Sequence, residues 1–444
     1  MLIIAILSIH DIIIIAMGMK NIYLTLLILF LFSMNQAFPS VYYQQTDTTY
    51  LLQGRVLGGD SNKSLSNASI SVEHSNVSSV TNQDGYFAIR VSVSAKNSRL
   101  VFRHLGYNNL SIPIVTLIDK PNYHIVMNAK SIQLEEVEIV AGDGREIVRK
   151  ALHRIPDNYP NTPSMMVAFY REHVKKRNHY ISLVESVLDI HKKSYRSFSD
   201  DQAKIYIGRK ATDISSNDTI LLKFQGGISN ALLLDVAKNP EIVFGKEGED
   251  YTFNIEGFIN IDNKPHYNIA FAPHESISDI LFRGNMFIDA SSYAFSRIEF
   301  NMNVEKRKDA ANIFIRRKPS KMRVAMSHAK YIVNYLEKDG KWYFNYSKTD
   351  VGFKVRWTNR FFGLFSTHYT IGSEIAITDR YNQPIVKFPR RERIHSTDVI
   401  AEKVEYFQDP EFWGQYNVIQ PDEEISNAIR KLSGKLRRRQ LNDE

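Results

Sequence analysis

Apolar and polar residues alternate with a period of two along much of this chain, which is the pattern of β-strands that bury one face. Between residues 51 and 140 the alternating runs are short, and turn residues separate them. Ala68–Val72 and Tyr86–Val91 are two such runs, and the turn residues Asn82–Gly85 lie between them. Several short strands without a helical pattern predict a small β-sandwich in this part of the chain.

After residue 165 the alternating runs are longer and rich in aromatic residues. Val324–Tyr335 and Trp342–Lys354 are examples, and Asp339-Gly340 forms a turn between them. Runs joined in this way predict antiparallel strands of one large sheet. The other predicted strands are Met165–Lys175, Tyr180–Ile190, Tyr251–Ile261, Tyr267–Ala272, Leu281–Ile288, Ala294–Val304 and His368–Ile377.

Three segments have a helical pattern instead. Arg145–Arg154 carries an apolar stripe and follows Asp143, which predicts a helix with an aspartate N-cap. Ser229–Lys238 is a predicted helix that interrupts the sheet. Asp422–Leu436 has acidic residues in its first turn and basic residues near its end, as the helix dipole favours.

The short-stranded region resembles a known domain family. Gly54–Val56, Asn67–Val72, Val80–Phe87, Leu100–Tyr107 and Ile132–Val137 are similar to the motifs of the carboxypeptidase-regulatory-like domain of Bacteroidetes-type proteins. This resemblance implies a seven-stranded, transthyretin-like sandwich without catalytic residues. It also implies an envelope context, because such domains precede outer-membrane transporters or head periplasmic and surface proteins of unknown activity.

A second resemblance is in the order of apolar, polar and turn residues along the strands. The run Arg283–Phe300 is similar to the strand pattern of the strongly curved, half-barrel sheets of lipoprotein-carrier type. Together the patterns and resemblances predict a mainly β protein. Its N-terminal seven-stranded β-sandwich would be followed by a large curved antiparallel β-sheet domain with a few helices, of an uncharacterised kind.

The N-terminus has the features of a secretory signal peptide. Lys20 precedes the apolar run Ile22–Phe32, and Ala37 is a plausible cleavage residue. His10 and Asp11 break an earlier apolar stretch, so we interpret Met19 as a possible true start. An uncleaved membrane anchor is the alternative. We therefore expect an exported protein, periplasmic or associated with the outer membrane.

These features predict four regions. Residues 1–37 are the signal peptide and residues 51–140 are the regulatory-like sandwich. Residues 143–160 form a linker helix, and residues 165–440 form the large antiparallel β domain with its C-terminal helix.

Composition and charge narrow the chemistry. The 444 residues include no cysteine, which excludes disulfides, thiolate metal sites, a cysteine nucleophile and an acylated N-terminal cysteine. The net charge is +8, and residues 141–444 hold the excess, with 47 basic and 39 acidic side chains. Export argues against a nucleic-acid partner. The basic clusters Lys306–Lys308, Arg316–Lys318 and Arg437–Arg439 therefore indicate either solvated charge or contact with anionic lipid or acidic glycans.

No enzyme motif accompanies these features. None of the 13 histidines has glutamate three residues later, as a zinc carboxypeptidase requires. His395–Asp398 has the nearest spacing, and His274-Glu275 lacks a second histidine. We therefore assign no catalytic, cofactor-binding or metal-binding residue and no cofactor, although a carboxylate pair assembled only in space stays open.

One further segment bears on membranes. Arg356–Phe365 combines one tryptophan, three phenylalanines and two arginines, a composition that favours either a membrane interface or a loop over the core. The leading hypothesis is an exported, non-enzymatic envelope protein that binds a lipid, glycan or protein partner. The alternatives are an assembly or accessory module of an outer-membrane transporter and a hydrolase with an unrecognised site.

Overall fold

The structure is a computed structural model. It describes residues 48–118, 120, 123–130, 143–213, 223–224, 227–245, 248–275, 279–304, 310–318, 320, 322–357, 366–406 and 412–443. The predicted signal peptide, the segment Ile132–Val137, the cluster Lys306–Lys308 and residues 358–365 of the aromatic segment lie outside the described residues. Among the described helices, none combines the length and the apolar character that crossing a membrane demands.

Seven short strands form the N-terminal sandwich, which confirms the predicted architecture. They are β1 Thr49–Gly58, β2 Ser69–Val72, β3 Ser78–Val80, β4 Tyr86–Ser92, β5 Arg99–Arg103, β6 Leu110–Pro113 and β7 Tyr123–Met127. One sheet has the order β4-β1-β7 and the other β3-β2-β5-β6. Gly85 turns the chain into β4 with φ +80°, a conformation that glycine adopts without steric cost.

In the part of the chain that the structure describes, the large sheet has eleven strands in the order β12-β13-β14-β15-β17-β18-β19-β8-β9-β10-β20. Its long strands are β8 Ser164–Lys176, β9 His179–Lys192, β10 Gln202–Thr212, β12 Tyr251–Ile261, β13 Lys264–Pro273, β14 Phe282–Asp289, β15 Phe295–Met302, β17 Met322–Lys338, β18 Lys341–Trp357 and β19 Ser366–Tyr381. The two-residue strand β20 (Glu405–Tyr406) pairs with β10 in parallel, and the other pairs are antiparallel. The nine predicted strands are present. β10 was not predicted, because its exposed and half-buried residues alternate weakly.

Among the described residues, five α-helices accompany the strands: α1 Gly144–His153, α2 Ile155–Asn158, α3 Gly227–Leu233, α4 Pro240–Phe244 and α5 Glu423–Asp443. β11 (Lys223–Phe224) and β16 (Ile315–Arg317) form a small separate ladder. Asp143 caps α1 as predicted, since its carboxylate accepts a hydrogen bond from the Arg145 backbone at 3.0 Å. The predicted helix Ser229–Lys238 is shorter than expected and ends at Leu233.

The two faces of the large sheet have different neighbours. The sandwich packs against one of them, which we call the sandwich face, through a buried cluster that includes Val80, Phe169 and Tyr346. The Ser78 hydroxyl donates a hydrogen bond of 2.7 Å to the carbonyl of Ile377 at this contact. Sandwich and sheet belong to one compact unit, and the boundaries 51–140 and 165–440 remain predictions.

Candidate functional site

Five residues form a straight row across the other face of the large sheet, which we call the pocket face. Glu172 of β8 lies opposite Ser373 of β19, and Ser373 lies opposite Thr349 of β18. The row continues to Tyr331 of β17 and Phe300 of β15. Because cross-strand partners share a face of the sheet, the register places a polar half beside an aromatic half.

This row is the floor of a pocket, and helices α3 and α4 lie over it. The lining residues are Glu172, Gly227, Asn230, Leu233, Leu234, Ile242, Phe282, Phe300, Met302, Ile313, Phe314, Tyr331, Thr349, Val351, Ile371 and Ser373. The volume is about 930 Å³, which includes the space at the open mouth. A mostly apolar wall with a few polar groups at one end is typical of a small-molecule site.

Glu172 defines the polar end of the pocket. The hydroxyl of the fully buried Tyr170 donates a hydrogen bond of 2.8 Å to its carboxylate. Burial raises the pKa of Glu172, and the Tyr170 hydrogen bond offsets only part of this rise. Gly227 begins α3 directly above, where a Cβ atom would lie 2.7 Å from the Glu172 carboxylate. Glycine therefore allows the helix to approach this group closely.

A buried network fixes the segment after α3 to the sheet. Asp235 is completely buried and accepts hydrogen bonds from Lys192 at 2.6 Å, Tyr195 at 2.8 Å and Tyr335 at 2.9 Å. Lys192 also contacts Asp201 at 2.6 Å. Burial lowers the pKa of Lys192, but the two carboxylates outweigh this effect and keep the pKa raised. The pocket roof is therefore held by charge-assisted hydrogen bonds.

The mouth of the pocket carries exposed apolar side chains. Ile242 is 40% exposed and Ile313 is 46% exposed, and both line the pocket. Large apolar residues at the rim of an apolar pocket extend its surface toward solvent and mark interaction sites more often than scattered ones do.

The opposite face holds charged groups with a different role. Arg171, next to Glu172 in sequence, points to the sandwich face and contacts Glu185 at 2.8 Å, Glu374 at 3.1 Å and the carbonyl of Ile419 at 2.6 Å. The bond to Ile419 holds the segment that leads to α5 against the sheet. The network is saturated with protein partners, which is typical of a structural role.

A polar cleft lies between the sandwich, this face and α5, and His173 is one of its lining residues. Burial, with the charges of Lys175, Arg171 and Lys348, lowers the pKa of His173 to about 3. The ring packs directly over Gly372, where a Cβ atom would lie 2.2 Å from it. His173 is therefore a neutral packing residue at physiological pH.

The histidines singled out in the sequence make ordinary backbone hydrogen bonds. The Asp398 carboxylate accepts a hydrogen bond of 2.9 Å from the backbone of His395 and pairs with Lys403 at 3.2 Å. The backbone of His274 donates to the carbonyl of Asp250. Across the described ranges, no group of three or more His, Asp or Glu side chains is arranged to hold a metal ion.

Sequence reasoning assigned no residue to this pocket. Tyr170 and Val174 are buried neighbours of Glu172 on the same strand face. A charged residue at a position where the alternation predicts an apolar one was the only sequence signal for this site. The rest of the site depends on strand register between distant parts of the chain.

Comparison with known proteins identifies the sandwich. Residues 52–139 match the family model of the CarboxypepD_reg-like domain, so this part of the chain is such a domain, as its motifs predicted. The matched family is a regulatory-like domain and not a catalytic one. No curated protein matches the chain.

Several solved structures show distant similarity. An outer membrane lipoprotein-sorting protein domain from Vibrio parahaemolyticus has 13% identity and a TM-score of 0.25, with 55% of this chain and 95% of that chain covered. A DUF1329 family protein from Desulfovibrio piger has 12% identity and a TM-score of 0.25, with coverages of 55% and 96%. MucB in complex with MucA has 10% identity and a TM-score of 0.17, with coverages of 52% and 94%.

Proposed function

We propose that this protein is a non-enzymatic, exported envelope protein that holds the apolar part of a lipid-like ligand in the pocket between the large sheet and helices α3 and α4. The observation that carries the proposal is the cross-strand row from Glu172 to Phe300, which lies beneath a roof anchored by Asp235. Apolar walls provide the free energy of binding, about 25 cal/mol for each Å² of apolar surface removed from water.

The lining supports binding rather than hydrolysis. Glu172 is the one carboxylate among the described lining residues. A glycosidase needs two carboxyl groups that face each other across the substrate. A nucleophilic site needs a base within hydrogen-bond reach of its nucleophile, and the described lining includes no histidine or lysine beside Ser373 or Thr349.

The signal-peptide pattern supports the proposed compartment, which is the periplasm or the periplasmic side of the outer membrane. The CarboxypepD_reg-like domain at residues 52–139 is compatible with this setting. In this proposal the sandwich supports the sheet from behind, through contacts such as Ser78 to Ile377, and the pocket face stays open to the ligand.

Extraction and binding measurements test the proposal. The protein purified from its native host is extracted with organic solvent, and the extract is analysed by mass spectrometry. The delipidated protein is then titrated with a fluorescent long-chain probe. We expect co-purified lipid and saturable probe binding, because the pocket is mostly apolar and open at its mouth.

A pocket-filling variant supplies the control. Leu233→Trp adds an indole to the half-buried roof position, whereas Leu51→Trp adds the same group to an exposed position on β1. Leu233→Trp should abolish probe binding, and Leu51→Trp should leave it unchanged. A well-folded protein that carries no lipid and binds no probe would contradict the proposal and favour the accessory role at an outer-membrane transporter, which crosslinking in cells would reveal.

A further inference from the structure

We propose that the ligand of this pocket is a single-chain amphiphile whose head group donates hydrogen bonds and carries no negative charge, such as a long-chain amine or alcohol, and that Glu172 receives this head group. The inference rests on the proposed function and deepens it, because it assigns the chemistry of the ligand and its direction in the pocket.

The direction follows from the two ends of the pocket. Glu172, Ser373 and Thr349 are consecutive neighbours on β8, β19 and β18, and they form the polar end. Phe300 continues the row at the other end and packs against Phe282, with ring centres 5.3 Å apart. An amphiphile gains most when its chain lies against the aromatic end and its head group against the polar end.

The head-group chemistry follows from the hydrogen-bonding capacity of Glu172. A carboxylate accepts about four hydrogen bonds and donates none. Among the described residues, the Tyr170 hydroxyl is the group that donates to it, at 2.8 Å. The remaining acceptor positions suit a ligand that brings donors of its own.

The charge of the lining argues against an anionic head group. The described lining residues include one carboxylate and no lysine, arginine or histidine. A carboxylate or phosphate head group would therefore meet a like charge and find no counter-charge, in surroundings where burial strengthens the repulsion. A cationic or neutral donor would instead relieve the cost of burying Glu172.

Protonation of Glu172 sets the range of pH in which this selection holds. Tyr170 on the same strand is the titratable group in contact with Glu172. The lining residues that β19 and α3 contribute, among them Ser373, Gly227 and Asn230, are all uncharged. Burial raises the pKa of Glu172, so acidification neutralises it above the usual carboxyl range. A neutral Glu172 no longer repels an anionic head group, so the selection weakens as the pH falls through the raised pKa.

Ligands of one chain length test the inference on the full-length protein. Decylamine, decanol and decanoate are titrated at pH 8 against a bound fluorescent long-chain probe, and the displacement constants are compared. We expect decylamine to bind about tenfold or more tightly than decanoate, the ratio that a charge-assisted hydrogen bond provides, with decanol between them.

Two variants assign the effect to one carboxylate. Glu172→Gln removes the charge at the pocket and should bring the ratio of decylamine to decanoate close to one. Glu146→Gln removes one exposed carboxylate on α1 and should leave the ratio unchanged. Circular dichroism spectra and thermal melting of both variants verify that each is folded.

Each outcome has a separate meaning. Equal binding of the three ligands, or tighter binding of decanoate, would overturn the head-group inference and leave the lipid-binding function standing. A preference for decylamine that persists in Glu172→Gln would overturn the role of Glu172. Failure of all three ligands to displace the probe, or failure of the probe to bind, would overturn both proposals.

Discussion

Nζ of Lys192 lies 2.6 Å from Oδ2 of Asp235, and this contact joins strand β9 of the large sheet to the segment that follows the pocket roof. Lys192 is at the end of β9, whereas Asp235 follows the two leucines of the roof that line the pocket. Both side chains are almost fully buried. The pocket roof therefore depends on an ion pair that lies outside the pocket lining.

Removal of the Asp235 carboxylate should destabilise the protein strongly. Asp235→Ala leaves the hydroxyls of Tyr195 and Tyr335 without this acceptor and takes one of two carboxylates from Lys192. Loss of one partner of a buried ion pair costs about 3–5 kcal/mol, because the other charge stays buried. Urea unfolding followed by tryptophan fluorescence measures the free energy of unfolding.

The matched control for Asp235→Ala is Glu146→Gln on α1. Glu146 pairs with Lys150 at 3.0 Å, but both side chains are about half exposed. Pairs of this kind contribute little to stability, so the unfolding curve should hardly change. Equal effects of the two variants would contradict the role assigned to the buried network.

Glu172→Gln should increase stability at neutral pH. Because burial raises the pKa of Glu172 above that of the unfolded chain, folding costs free energy once the unfolded carboxyl ionises. This cost is absent well below pH 4, grows as the pH rises and is complete above the raised pKa. The variant should therefore unfold at higher urea concentration than the wild type at pH 8, and at a similar concentration near pH 3.5. A variant less stable than the wild type at pH 8 would contradict the prediction.

A stabilising effect of Glu172→Gln would indicate that Glu172 is retained for binding at the expense of stability.

His173 should make the fold sensitive to acid. Its pKa is about 3 in the folded protein because the ring is buried beside Lys175, Arg171 and Lys348, whereas the unfolded side chain takes up a proton near pH 6.5. Below pH 6.5 the unfolded state binds a proton that the folded state does not, so stability falls with pH until about pH 3. The loss is at most ~1.4 kcal/mol per pH unit.

Two measurements check the behaviour of His173. NMR titration of its ring should show a neutral imidazole at pH 5, and urea unfolding of His173→Gln should show a shallower loss of stability between pH 6 and pH 4 than the wild type. An imidazolium signal at pH 5 in the folded protein would refute the expectation.

The sequence was sufficient for nine of the ten long strands described in the large sheet and insufficient for the pocket. Periodicity of two depends on neighbouring residues, so runs such as Val324–Tyr335 and the turn at Gly85 were predictable locally. The pocket row joins Glu172 to Ser373, which lie far apart in the chain and meet only through strand order and register. A single sequence contains no direct record of that pairing.

Tertiary contacts also explain the elements that differed. β10 is half-buried between β9 and the short β20, so its apolar pattern is weak. The helix predicted over Ser229–Lys238 ends at Leu233. The hydrogen bonds of the Asp235 carboxylate with Lys192 and Tyr335 draw the backbone after Leu233 out of the helical conformation. Buried polar networks of this kind override local propensity.

The mouth of the pocket offers a test with a closely matched control. Ile313 lines the mouth and is 46% exposed, and Val386 is equally exposed but lies outside the pocket. An aspartate at either position is solvated, so neither variant should lose much stability. Ile313→Asp places a charge at the mouth, where the proposed apolar ligand would enter. It should weaken binding of a long-chain probe by about tenfold. Loss of one apolar contact and partial desolvation of a carboxylate together cost ~1.4 kcal/mol or more of binding free energy. Val386→Asp should bind the probe as the wild type does. Equal affinities of the two variants, measured by fluorescence titration at pH 8, would place the entrance elsewhere on the molecule.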